Sequence, residues 1–235
     1  MITWENNRFT DQTSSAGYIY PGDYSVIPIN EQILKLAGFF GFDPGPALTF
    51  AEILPELPRG AEGYFAVLRW QAIATTYTEG VKNVLKAIGG RRRFRNERKD
   101  QFKEGQLRRL PRSEEAFSEL YERQKGDIFI VPAQFGMRYR EHSFRQVREI
   151  FQRQRNEFGL GILETGCMLL THPIRERCWE QLHVDCPGDE WGSGNGIFVS
   201  APHFYVREDG TLYLSSCWID EADPRCGSAS GFLQS

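Results

Sequence analysis

The last third of the chain gathers side chains able to bind metals and move protons. All five cysteines (Cys167, Cys178, Cys186, Cys217, Cys226) and three of the four histidines (His172, His183, His203) lie beyond residue 160. Cys178, His183 and Cys186 form the pattern C-x4-H-x2-C. Thiolate and imidazole are good zinc ligands, and short spacings let one turn supply two of them. A fourth ligand would come from His172, His203, Cys217 or Cys226. The spacing matches no common zinc module, and reduced cysteine is also an ordinary core residue.

The same region offers a second chemistry. If 181–186 is a strand, His183 and Asp185 point to one face, because side chains alternate. Asp189 and Glu190 follow on the next loop. Carboxylates and an imidazole near a strand end suit a hard divalent cation, or a base with an orienting acid. On this reading the cofactor would be a divalent metal ion, in hydrolysis or phosphoryl transfer. The competing account is a half-exposed strand and an acidic turn. Glu157 and His172 stand at helix junctions beside Gly159 and Pro173. They are further acid/base candidates if that junction lines a pocket, although helix punctuation explains the same residues. Two other motifs carry no chemistry. Gly192-Ser193-Gly194-Asn195-Gly196 lacks the lysine and the following helix of a phosphate loop. Ser228 and Ser230 lack a nucleophile-elbow context.

Charge marks a third candidate. Residues 1–80 sum to -5, residues 81–155 to +10 and residues 156–235 to -8, giving the net -3. Within the basic middle, Arg91, Arg92, Arg93, Arg95, Lys99, Arg108 and Arg109 interleave with Phe94 and Phe102, and Arg138, Arg140 and Arg145 continue the run. Guanidinium groups fork onto phosphate oxygens, and exposed rings stack on unpaired bases. The alternative is a solvated face, or one that answers the acidic thirds of this chain, of a second copy or of another acidic protein. No zinc-finger spacing, RNP signature or helix-turn-helix is present.

Composition bounds these readings. The chain has 235 residues, 40 % hydrophobic and 25 % charged, with 17 Phe, 9 Tyr and 5 Trp. So many rings exclude a wholly disordered chain, and there is neither a Gly period nor a sustained heptad. A chain of this length buries about 70 % of its unfolded surface and needs no disulfide to fold. No apolar run reaches a membrane-spanning length, so no membrane association is expected. MITWENNRFTDQTSS has no apolar h-region. The expectation is a cytoplasmic protein with reduced cysteines.

The elements that must position these residues follow from periodicity and punctuation. The first 30 residues read as an irregular arm. A short helix runs from about Glu31 to Phe40, and residues 41–63 form a linker or a long loop. Apolar residues from Trp70 to Ile88 recur at helical spacing and predict one helix. Pro111 opens another, SEEAFSELYERQK, with acids in its first turn and bases in its last. Ile128–Val131 suits a buried strand ended by Pro132. Ser143 with Gln146 fits a capping box, and a further helix spans about 160–170. Asp209-Gly210 marks a hairpin. Taken as a two-residue loop, it pairs Tyr205 with Leu214 and sets His203 opposite Ser216.

This order predicts an α+β protein: an irregular arm and short helix over 1–62, a helical segment with the basic stretch over 63–125, and an α+β domain over 126–235 ending in an antiparallel hairpin. The leading functional expectation is polyanion binding, nucleic acid foremost, through the arginine-rich middle. The rivals are a metal-assisted hydrolase or phosphotransfer enzyme using His183–Glu190, and a structural protein whose basic middle docks on an acidic partner or in a homo-oligomer.

Overall fold

The computed structural model describes residues 17–192 and 196–234. The first half of the expected N-terminal arm and the centre of the glycine-rich loop lie outside the described residues. The protein is α+β, built on two sheets with one large hydrophobic core and a small separate cluster of Tyr139, Val147 and Phe151.

The helices are α1 (Ile29–Phe40), α2 (Gly45–Ala51), α3 (Trp70–Ile73), α4 (Tyr77–Gly89), α5 (Pro111–Arg123), α6 (Phe144–Arg153) and α7 (Ile162–Thr171). The strands are β1 (Gly63–Leu68), β2 (Phe94–Asn96), β3 (Leu107–Arg109), β4 (Ile128–Gln134), β5 (Glu157–Gly159), β6 (His183–Asp185), β7 (Asp189–Gly192), β8 (Phe198–Val206), β9 (Leu212–Trp218), β10 (Cys226–Ser228) and β11 (Ser230–Phe232).

The first sheet has the order β1-β4-β11-β5 and is antiparallel throughout. Its strand β4 is buried along its whole length. It runs through Pro132 instead of stopping there. Pro132 pairs with Tyr64 on one side, while β11 pairs only Ala133 and Gln134 on the other, so no ladder bond is demanded of the missing N–H. Every residue of α7 is buried, against β1 on one side and α4 on another. A helix this apolar on all sides belongs inside a core. Gly166 makes the α4 contact close: a Cβ there would sit 2.7 Å from Val84 Cγ1.

The single helix expected over Trp70–Ile88 is two. Thr76 adopts an extended backbone, and its hydroxyl accepts from Glu79 N–H at 3.3 Å, capping α4. Capping chemistry outweighs the continuous apolar period at this point. The capping box is present at Ser143 and Gln146. No helix among the described residues is long and apolar enough to cross a membrane.

The second sheet carries the site. β6, β8, β9 and β2 lie in sequence across it, β10 flanks β6, and β7 with β3 extends it beside the start of β8. The β8–β9 hairpin differs in register from the two-residue expectation. Arg207 N–H donates to Thr211 O, and Gly210 N–H donates to Arg207 O. Gly210 then takes φ +74°. This is a three-residue loop, a turn followed by a left-handed residue. It pairs Tyr205 with Tyr213 and His203 with Ser215. A one-residue change of register moves every side chain of a strand to the other face, so this turn decides what β9 presents to the site.

Candidate functional site

Registers build one face of the second sheet. Cys226 and Ser228 on β10 stand beside His183 and Asp185 on β6. Asp185 faces His203 across the β6–β8 pair. His203 and Tyr205 on β8 neighbour Ser215 and Tyr213 on β9, and Cys217 pairs with Ala201. Because side chains alternate, Tyr213, Ser215 and Cys217 share the face of His203. A cavity of about 580 Å³ lies over it, walled by Trp179, His183, His203, Tyr205, Tyr213 and Cys226.

At His203, which lines this cavity, one ligand atom each from Asp185, His203 and Cys217 lies within 4.8 Å of the others. Asp185 Oδ1 and His203 Nδ1 are buried and have no protein partner. Burial pushes the Asp185 carboxyl up to about 8; the Asp223 charge adds to this and a Cys226 hydrogen bond opposes it. Burial, then the neighbouring His183, brings His203 down to about 4. Burial and the nearby acids also raise the Cys217 thiol. Buried polar atoms without partners are costly. A divalent cation among these donors would relieve that cost at Asp185 and His203.

His183 stands beside this cluster. Its Nδ1–H points to Glu176 Oε2 at 3.3 Å, which leaves Nε2 buried with no partner. Glu176 in turn contacts Arg175 Nη1 at 3.3 Å. Arg175 is fully buried; it donates to Leu182 O at 2.6 Å and Phe135 O at 2.9 Å, and its guanidinium lies 3.9 Å from the Tyr20 ring centre. A carboxylate thus fixes the ring orientation, and an arginine fixes the carboxylate.

The structure disperses the rest of the candidates. Cys178 is half-buried, on a turn where its N–H donates to Gln181 Oε1. Cys186, next after Asp185, belongs to the core. Asp189 is also buried away from the site, accepting from Ile162 N–H and the Tyr77 hydroxyl. Burial raises its carboxyl to about 7, against the pull of Arg109. Glu190 pairs with Arg108 and Arg148. Glu157 accepts from Ser230 Oγ at 2.6 Å and from the Tyr139 hydroxyl at 2.8 Å. His172 Nε2 accepts from Ile27 N–H at 3.1 Å, so its Nδ1 carries the proton and donates to Met168 O.

Most of the singled-out arginines have partners within the chain. Arg91 lies over Phe39, Arg92 donates to the carbonyls of Glu176 and Pro173, and Arg140 to that of Tyr18. Arg109 is sunk against Glu164, Arg138 pairs with Glu157 and Arg145 with Asp220. Arg93, Arg95 and Lys99 are exposed. Arg95 pairs in register with Tyr213 at the edge of the site's own face.

Sequence reasoning missed Glu176, Trp179, Tyr205, Tyr213, Arg207 and Arg225. It named His203 and Cys217 only as further ligands to a cysteine pair that is not assembled. The alternation of His203 with Tyr205, and of Tyr213 with Ser215 and Cys217, was the available signal. Comparison with protein-family models, curated proteins and solved structures returns no match. The site must be read from its own chemistry.

Proposed function

We propose that the chain is a metal-dependent hydrolase whose metal is held by Asp185, His203 and Cys217. The observation that supports this reading is the convergence of a carboxylate, an imidazole and a thiol within 4.8 Å, with the imidazole, His203, in the lining of the cavity. Three protein ligands with a free position toward substrate are the donor set of catalytic zinc. Such a metal supplies an acidified water and polarises the substrate's carbonyl or phosphoryl oxygen. The chain's own part falls to His183. With Nδ1–H toward Glu176, Nε2 is left without a protein partner on a ring that lines the cavity, placed to accept a proton. Nε2 takes the proton of the attacking water, and the same proton passes to the leaving group, so that one water is consumed for each bond cleaved.

The test begins with metal. Chelator-stripped protein titrated with Zn²⁺ against a chromophoric competitor should take up a single equivalent. Co²⁺ should give a thiolate charge-transfer band that Cys217→Ser removes, and Asp185→Asn should weaken affinity. Turnover of nitrophenyl phosphate and acetate esters should follow metal content. Absence of saturable metal binding by the wild-type chain overturns the reading.

A second reading, polyanion binding through the arginine-rich middle, is favoured by one observation. Arg93, Arg95 and Lys99 are exposed and pair with no carboxylate among the described residues.

A further inference from the structure

We infer that the ligand of the cavity is a nucleoside phosphate, its ring held by the tyrosine wall and its phosphate by Arg93 and Arg95. This rests on the proposed site for the chemistry that follows binding, but not for binding itself.

The wall is aromatic. Tyr205 and Tyr213 are stacked, with ring centres 5.2 Å apart and planes 27° from parallel. Tyr205 continues into His203 at 5.4 Å and His183 at 5.9 Å. Across the floor, Trp179 lies 5.6 Å from His183. Planar heterocycles bind such surfaces through their faces, whatever the base, because every base has a π-face. The volume, about 580 Å³, is that of a small-molecule site.

The charges divide into spent and free. Arg207 lies over Tyr213 at 4.3 Å but is bound to Glu97 Oε1 and the Tyr205 hydroxyl. Arg225 lies over Trp179 at 4.7 Å and is paired with Asp223. These two stiffen the walls. Arg95 is different. Its register partner is Tyr213, so it stands on the same face as the stacked pair, one strand further out. Arg93 lies two residues before it, close enough to act on the charge of Asp209 at the cavity rim. Neither guanidinium has a carboxylate partner among the described residues, and both are exposed. Two free guanidiniums beside an aromatic wall match a phosphate joined to a flat ring. Asp209 and Asp223 on the rim can accept hydrogen bonds from sugar hydroxyls or base amino groups.

The measurement is isothermal titration of chelator-stripped wild-type protein, and of Asp185→Asn, with adenosine 5′-monophosphate, adenosine, inorganic phosphate and single-stranded oligothymidylate. The monophosphate should bind saturably and on the order of tenfold more tightly than adenosine or phosphate, the worth of one charge-assisted contact. Arg93→Ala with Arg95→Ala should remove that advantage, and Tyr213→Ala should weaken the monophosphate and adenosine alike. Both arginines are exposed, so the double variant should melt like the wild type. Equal affinity for monophosphate and oligonucleotide assigns a free nucleotide. A much tighter oligonucleotide, with strong salt dependence, assigns a strand. Either supports the inference. Absence of saturable nucleotide binding, or binding unchanged in the arginine variant, overturns it. Nucleotide binding by a wild-type chain that takes up no Zn²⁺ would leave the inference standing and the hydrolase reading fallen.

Discussion

Asp185 and His203 face each other across the antiparallel β6–β8 pair, and each buries a polar atom that no protein group satisfies. Such a pair is costly without a partner and well suited to a cation. Zinc should therefore stabilise the wild-type chain. At a hundredfold excess over Kd the gain is about 2.7 kcal/mol. Urea denaturation with and without Zn²⁺ measures it. Asp185→Asn should lose most of the zinc-dependent gain while its metal-free stability changes little or rises.

The pair of Glu176 and Arg175 predicts two different phenotypes. Glu176→Gln keeps the shape beside His183 and removes the charge that orients it. Hydrolysis should fall about 10- to 100-fold, the usual cost of losing an orienting partner, with zinc affinity nearly unchanged. Arg175→Met leaves Glu176 buried without its guanidinium, and should destabilise the chain by about 3–5 kcal/mol. Steady-state kinetics and urea midpoints separate these effects.

The three-residue turn is a prediction about register. Deleting Thr211 keeps the three-residue loop but sets Leu212 opposite Arg207, which turns the buried Leu212 and Leu214 toward the site. The variant should lose the thiolate-to-cobalt band and much of its stability, since the core is stripped of both leucines. Gly210→Val, which puts a β-branched residue at positive φ, should cost about 1–2 kcal/mol without moving the band. Absorbance and thermal melts of the two variants give the comparison.

His172 predicts an acid-sensitive anchor. Burial lowers it to about 4, while Lys35 and Glu31 act on it weakly and in opposite directions. Only the neutral ring can accept from Ile27 N–H. The folded value lies below the ordinary 6.5, so this stabilisation is full above about 6.5 and is lost as pH falls toward 4. The loss is on the order of 3 kcal/mol. Amide exchange at Ile27 should rise over that window in the wild type, and His172→Gln should flatten the dependence.

Local patterns carried much of the fold. Ser143 and Gln146 announced α6 by a capping reaction between near neighbours. The apolar run at 128–131 announced a buried strand, and Asp209-Gly210 announced a hairpin. His183 and Asp185 shared a face as strand alternation requires. Each depends on atoms a few residues apart, and the chain states such contacts directly.

The arginines were not legible in this way. Arg109 and Arg95 look alike in sequence, yet one is sunk against Glu164 while the other stands free beside Tyr213. The acidic run divided for the same reason: Asp185 turned to His203 across β6–β8, while Asp189 was drawn to Tyr77 and Ile162 on α4 and α7. Composition, spacing and capping were enough to define an α+β chain with histidine, cysteine and carboxylate side chains gathered in its last third. Which of them meet was settled by strand pairing and by one extra residue in a turn. Register is chosen by what the opposite face must bury, here Leu212 and Leu214, and burial of that kind exists only once distant segments have packed together.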